Sequence, residues 1–201
     1  MLPAKQGLYN PENEHDNCGA GFICSLQGKK TNDIIHKALD ILDKLEHRGA
    51  VSSDGKTGDG AGILIEIPHS FMVAQCDFQL PAAHEYAVGM VFLPKKENQR
   101  NYCIGVFESE IKKQGLTLLG WRKVPVDPTV VGSIAKQTEP HIMQAFIGRG
   151  ETPLTDQEFN IKLFIARKIS EHTIGASKLS EASYFYLPSL STHTIIYKGL
   201  L

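Results

Sequence analysis

Apolar runs with the alternation of strands follow one another along this chain, and helical patterns are fewer than the runs they separate. Ile63, Ile65 and Ile67 fall on one face and stop at Pro68. Tyr86–Leu93 is apolar almost throughout, the composition of a strand buried on both faces. Leu116–Val124, with the chain's single Trp at 121, His141–Ile147, Tyr184–Leu187 and Thr194–Tyr197 read the same way. Parallel neighbours need a crossover of a dozen or more residues, usually a helix. Several of these runs succeed one another without one, so the predicted sheet is antiparallel with helices packed on its faces, an α+β layered domain.

Three segments carry helical spacing. The clearest starts at a Thr31 or Asn32 cap and places Ile34, Ile35, Ala38, Leu39, Ile41, Leu42 and Leu45 at three- and four-residue intervals, with charged residues opposite. Gly49 stands where a C-cap belongs, and His47 and Arg48 suit the negative end of the helix dipole. The second runs from 98 to 114 through Tyr102, Ile104, Val106, Phe107 and Ile111, and a short helical piece is expected over 129–136. Thr155 caps the third, whose apolar residues are read as Ile161, Phe164, Ile165 and Ile169.

The stretch Asn17-Cys18-Gly19-Ala20-Gly21-Phe22-Ile23-Cys24 sets a thiol at the mouth of a small-residue, then apolar, run. Gly19 and Gly21 lack a Cβ, so another backbone or a ligand can come close. Residues 18–26 read as a strand, with Cys24 pointing into the core. Residues 1–17 are poor in hydrophobics, hold Pro3, Gly7 and Pro11, and read as a leader. The four cysteines, at 18, 24, 76 and 103, form no C-x-x-C, and none of the eight histidines forms H-x-x-x-H. A disulfide framework or structural zinc is therefore not expected, and each cysteine is either a core residue or a catalytic thiol.

Acidic residues number 22 and basic ones 21, interleaved without blocks, which gives no field to recruit nucleic acid or an anionic membrane. No apolar h-region follows Met1 and no run is long enough to span a bilayer, so a cytoplasmic location is expected. The loop Thr57-Gly58-Asp59-Gly60-Ala61-Gly62 is rich in glycine, yet it runs from a helix toward a strand. Phosphate-binding loops have the opposite order, so a tight turn beside a site is the better account.

Three pieces, Cys18-Gly19-Ala20-Gly21-Phe22-Ile23, Leu45-Glu46-His47-Arg48-Gly49-Ala50 and Thr57-Gly58-Asp59-Gly60-Ala61-Gly62-Ile63, occur in this order and separation together with Pro188-Ser189-Leu190-Ser191-Thr192 and Ile196-Tyr197-Lys198-Gly199. In this the sequence resembles the class II glutamine amidotransferase domain at the start of glutamate synthase large chains, of the N-terminal-nucleophile hydrolase type. The resemblance implies a four-layer αββα sandwich over residues 18–201, with Cys18 becoming the first residue once the leader 1–17 is removed. It further implies that the freed amine serves as base for the Cys18 thiol, that the Gly49 backbone holds that amine, and that Arg48 shapes the site. Asp59 is expected to hold its loop, and His47 to be structural with no part in proton transfer.

The resemblance also marks absences. The family's oxyanion hole uses an Asn-Gly pair and its substrate clamp an Arg-Phe-Ser-Thr-like motif with a further Asp, and this sequence contains no Asn-Gly dipeptide and no Arg-x-Ser-Thr. The expectation is a truncated sandwich with little glutaminase turnover of its own. No cofactor is expected here; FMN and an iron–sulfur cluster belong to later domains of the full-length family. The implied partners are glutamine and the remaining synthase domains, and an unpaired strand over 194–201 would offer an edge for homo-oligomerisation. A noncatalytic binding module on the same fold is the alternative reading, marked by an uncleaved leader.

Overall fold

The computed structural model describes residues 4–13, 19–46 and 49–199. Its largest sheet is organised by the run Tyr86–Leu93, which forms β2 after α1 (Asn32–Lys44), β1 (Ala61–Glu66) and α2 (His69–Gln75). α3 (Glu97–Lys113), β3 (Thr117–Lys123), β4 (His141–Gly148), α4 (Asp156–Gly175), β5 (Tyr186–Ser191) and β6 (Thr194–Gly199) follow. The strand order is β3-β4-β2-β5 in a four-stranded antiparallel sheet, and β1 pairs antiparallel with β6 in a two-stranded one.

Alternation along the strands sorts the core into two layers. Ala87, Val91, Leu93, Ala145, Ile147 and Leu187 face α3 and α4, meeting Cys103, Phe107, Ile111, Phe159, Leu163 and Ala166. Tyr86, Val88, Met90 and Phe146 point the other way, onto Ile65, Ile195 and Tyr197 of the small sheet and Met72 of α2. α1 packs on β1, and Lys30 reaches Glu66 at its end. The order is therefore helices, sheet, sheet, helix, and the expected α+β αββα layering holds. No helix among the described residues is long and apolar enough to cross a membrane.

Two polar devices hold the sheets in register. Gln144, fully buried, accepts from Arg122 Nη1 at 2.9 Å and donates to the Tyr197 hydroxyl at 2.9 Å, which joins β4 to β6 across the inter-sheet layer. At the passage from β5 to β6, Ser191 Oγ accepts from the N–H groups of His193 and Thr194, and Ser189 Oγ from that of Ile196. The serines of Pro188–Thr192 thus satisfy backbone donors where the chain changes sheets, groups that would be costly to leave unpaired.

Several expectations fail in instructive ways. Residues 19–26 form no strand: Phe22 and Leu26 are almost wholly exposed and Cys24 is exposed rather than in the core. Alternation alone does not make a strand, and no described strand pairs with these residues to form a ladder. α1 ends at Lys44 with Leu45 as its C-cap, four residues before Gly49, and the Leu45 N–H still donates to Ile41 O and Leu42 O. Over 129–136 only Ala135–Gln137 is helical, as one 3₁₀ turn. α2 carried no periodic signal in its seven residues, and it escaped the sequence reading.

α4 has its capping box, with Thr155 accepting from the Glu158 N–H and Glu158 accepting from the Thr155 N–H. Its buried face is different from the one expected. Phe159, Leu163, Ala166, Ser170 and Ile174 are buried, whereas Ile161, Phe164 and Ile169 are exposed. Phe159, Leu163, Ala166 and Ile174 of that row join the core shared with α3 and the sheet. Finally, β6 is paired with β1 along its described length, so it is not the fully unpaired strand expected.

The two faces of α4 separate in a stability measurement. Leu163→Ala removes a fully buried side chain and should cost about 2–5 kcal/mol in urea unfolding. Phe164→Ala, one residue along, should cost less than about 1 kcal/mol, because most of that ring is already in water.

Candidate active site

The three sequence pieces meet at the C-terminal end of α1. A Cβ placed on Gly19 would lie 2.9 Å from Leu45 Cδ2, and one on Gly21 2.6 Å from Ile41 Cγ2. Residues 19–21 therefore lie against the last turns of α1, and at Gly21 a Cβ would press on the β-branched Ile41 side chain, whereas at Gly19 it would meet only the flexible tip of Leu45. Residues 19–22 are exposed to solvent. Cys18 and Arg48, the expected nucleophile and site-shaping residue, lie outside the described residues, as does His47. Gly49 is exposed and its N–H donates to Glu46 O at 3.0 Å.

The second and third pieces are joined directly. Asp59 Oδ2 accepts from the Ala50 N–H at 2.9 Å, and Val51 bridges Gly58. Asp59 thus holds its loop to the segment that follows Arg48, as expected. Gly60 adopts φ of 88°, and Gly62 leaves no room for a Cβ, which would fall 2.7 Å from Tyr197 O on β6. The glycines here are required by backbone shape and by the approach of β6.

The same loop is clasped from behind. Asp54 accepts from the N–H groups of Lys56 and Thr57, from the Thr57 hydroxyl at 2.7 Å, from the Ile134 N–H at 3.1 Å and from the Ser133 hydroxyl at 3.4 Å. Thr57 Oγ1 accepts in turn from the Ala135 N–H. A Cβ on Gly132 would strike Thr57 Oγ1 and Asp54 Oδ2 at 2.4 and 2.6 Å. The donors, led by the Thr57 hydroxyl and N–H, hold the Asp54 carboxyl well below the usual carboxylate range.

Residues 18–201 match the family model described as glutamine amidotransferases class-II. The chain belongs to that family. It is 42% identical over 202 residues to the glutamate synthase [NADPH] large chain of Bacillus subtilis, covering 100% of this chain and 13% of the relative. It is 41% identical over 217 residues to glutamate synthase [NADH] of Saccharomyces cerevisiae, covering 100% of this chain and 10% of the relative. Against the glutamate synthase [NADPH] large chain of Azospirillum brasilense the identity is 38% over 196 residues, 96% of this chain and 13% of the relative. The chain thus spans a small part of the length of these relatives.

For a class-II amidotransferase the relevant question is which thiol can react. Burial pushes the Cys103 thiol up to about 11 and raises that of Cys76 despite Arg122 nearby, so both stay protonated and inert near neutral pH. Cys24 is exposed. Among the described residues no three His, Cys, Asp or Glu side chains converge as a metal-binding group. Sequence reading singled out the 57–62 loop and missed Asp54, since its partners at 132–135 lie some eighty positions away and carry no motif.

Asp54 gives a pH test. A depressed carboxyl contributes its full stabilisation above its unfolded value near 3.8 and loses it as pH falls through the lower folded value. The Asp54 carboxyl carbon signal should therefore show no titration midpoint at 3.8, remaining ionised into stronger acid. Asp54→Asn should open the 52–57 loop at neutral pH, seen as faster cleavage there by a nonspecific protease.

Proposed function

We propose that this chain is the glutaminase part of a glutamate synthase, and that Cys18, freed at its amine by removal of residues 1–17, is its nucleophile. The observation that supports this is the meeting of three motifs at one place: Gly19 and Gly21 against Leu45 and Ile41, and Ala50 tied to Asp59. The segment directly after Cys18 and the segment directly after Arg48-Gly49 are both held to the end of α1 or to its following loop.

The chemistry requires a free amine. An α-amino group has a reference pKa of about 7.7–8.0 and can accept the thiol proton near neutral pH, whereas an amide nitrogen cannot. The thiolate attacks the glutamine carboxamide carbon, and the C=O π pair moves to oxygen, giving a tetrahedral oxyanion. The amine returns its proton to the leaving nitrogen, the C–N bond breaks, and ammonia departs from a γ-glutamyl thioester. Water then cleaves the C–S bond, releasing glutamate and restoring the thiol. In this reading the Gly49 backbone orients the amine and Arg48 shapes the substrate side, while the ammonia, FMN and iron–sulfur chemistry of a full synthase is handled by other domains.

The oxyanion donors and the substrate arginine of the family pattern are missing from these residues, and we infer that the chain alone turns over glutamine poorly. One oxyanion donor is typically worth about a hundred- to a thousandfold in rate. Ammonia release by the 201-residue chain should fall short of an ordinary enzyme's by at least that factor. An ordinary glutaminase rate would overturn this part of the reading.

Intact mass and N-terminal sequencing should find a chain beginning at Cys18. Covalent labelling by a glutamine-like electrophile should then vanish in Cys18→Ala and persist in Cys24→Ala, a control needed because Cys24 is exposed. A chain that retains residues 1–17, or a label that follows Cys24, would overturn the assignment of the nucleophile.

A further inference from the structure

Away from the α1 end of the molecule, the edge of the four-stranded sheet holds a second polar site. His141 opens β4 opposite Leu93, the last residue of β2, and Lys123 closes β3. Lys95 follows on the turn into α3. Between them is a cleft of about 170 Å³ walled by Val124, Val126 and Ile142, with Lys95, Lys123 and His141 at its lining. Arg100 stands behind, its Nη1 donating to Lys95 O at 3.1 Å.

The charges do not balance. Glu139 also lines the cleft and pairs with Lys95 at 3.5 Å. Among the described residues no carboxylate forms an ion pair with Lys123 or Arg100. Two lysines, Lys95 and Lys123, therefore face one carboxylate, with Arg100 behind them and His141 not yet counted.

We propose that this cleft binds a small divalent oxyanion, a sulfate or phosphate group, through Lys95, Lys123 and the protonated imidazole of His141. In the empty cleft burial, aided by Arg100 and Lys123, holds His141 below its ordinary value, so it is neutral at physiological pH. A divalent anion offsets the local positive field and favours the imidazolium, which supplies a further N–H donor. Binding and protonation of His141 are then linked, and each strengthens the other.

Sulfate is a suitable probe because it stays divalent across the pH range in which histidine titrates. His141 ring signals of the whole chain should be followed by NMR with sodium sulfate and, at matched ionic strength, with sodium chloride. Sulfate should move the His141 titration to higher pH more than chloride does, and should bind on the order of tenfold more tightly at about pH 5 than at about pH 8. Lys95→Gln and Lys123→Gln should each remove most of the sulfate effect, while Lys168→Gln, on the exposed side of α4, should leave it intact. Equal shifts with sulfate and chloride would show screening alone and overturn the proposal, as would a sulfate effect that survives both cleft substitutions. Comparing inorganic phosphate with phenyl phosphate separates the two sources of such a group. Tighter binding of the ester assigns the Val124, Val126 and Ile142 wall to an organic portion, and equal binding assigns the site to the free anion.

Discussion

Everything in this fold depends on burying both faces of β2. An antiparallel sheet can leave one face in water, but Tyr86–Leu93 is apolar on both, with Val88, Met90, Ala87 and Val91 at or near zero exposure. Such a strand is stable only between two layers. α3 and α4 cover one face through Phe107, Ile111, Phe159 and Leu163, and the β1–β6 ribbon covers the other through Ile65, Ile195 and Tyr197. The buried Gln144–Tyr197 hydrogen bond then sets where the ribbon lies, since either group left alone in that layer would forfeit its solvation without a partner.

The candidate site is a consequence of that second layer. β1 must pair with β6, so the loop leading into β1 is carried to the ribbon's end, and Gly62 lets it pass Tyr197. α1 covers β1 from outside and delivers its C-terminal turn to the same place. Two carboxylates fix the loop: Asp59 to the backbone of Ala50 on one side, Asp54 to the segment 132–135 on the other. The nucleophile proposed above would stand at a chain end, with no backbone ladder to hold it on one side. The helix end and the doubly anchored loop are the neighbours that reading gives it.

Local patterns and tertiary choice divide cleanly in α4. The Thr155–Glu158 capping box is a relation between residues three apart, and it was readable without the fold. The helix offers two apolar rows, however, and periodicity does not rank them. The row Phe159, Leu163, Ala166, Ser170 and Ile174 is the one buried, most of it in the core shared with α3 and the sheet, and Ile161 and Phe164 stay outside. The segment 19–26 makes the converse case: its alternation resembles a strand, yet a strand exists only where a partner completes its hydrogen bonds, and its glycines are used against α1 instead.

The sequence by itself determined the antiparallel α+β class, the helices at α1, α3 and α4, the strands built on strongly apolar runs, and the family, through motifs whose residue types answer to local backbone and chemical needs. Tertiary structure alone decided which helix face is buried, that the small sheet is β1 with β6, that Asp54 clasps residues eighty positions away, and that Lys95, Arg100, Lys123 and His141 share one edge. Each of these is a contact between distant parts of the chain, where no spacing rule operates and the outcome follows from what is left to pair once the two faces of β2 are covered.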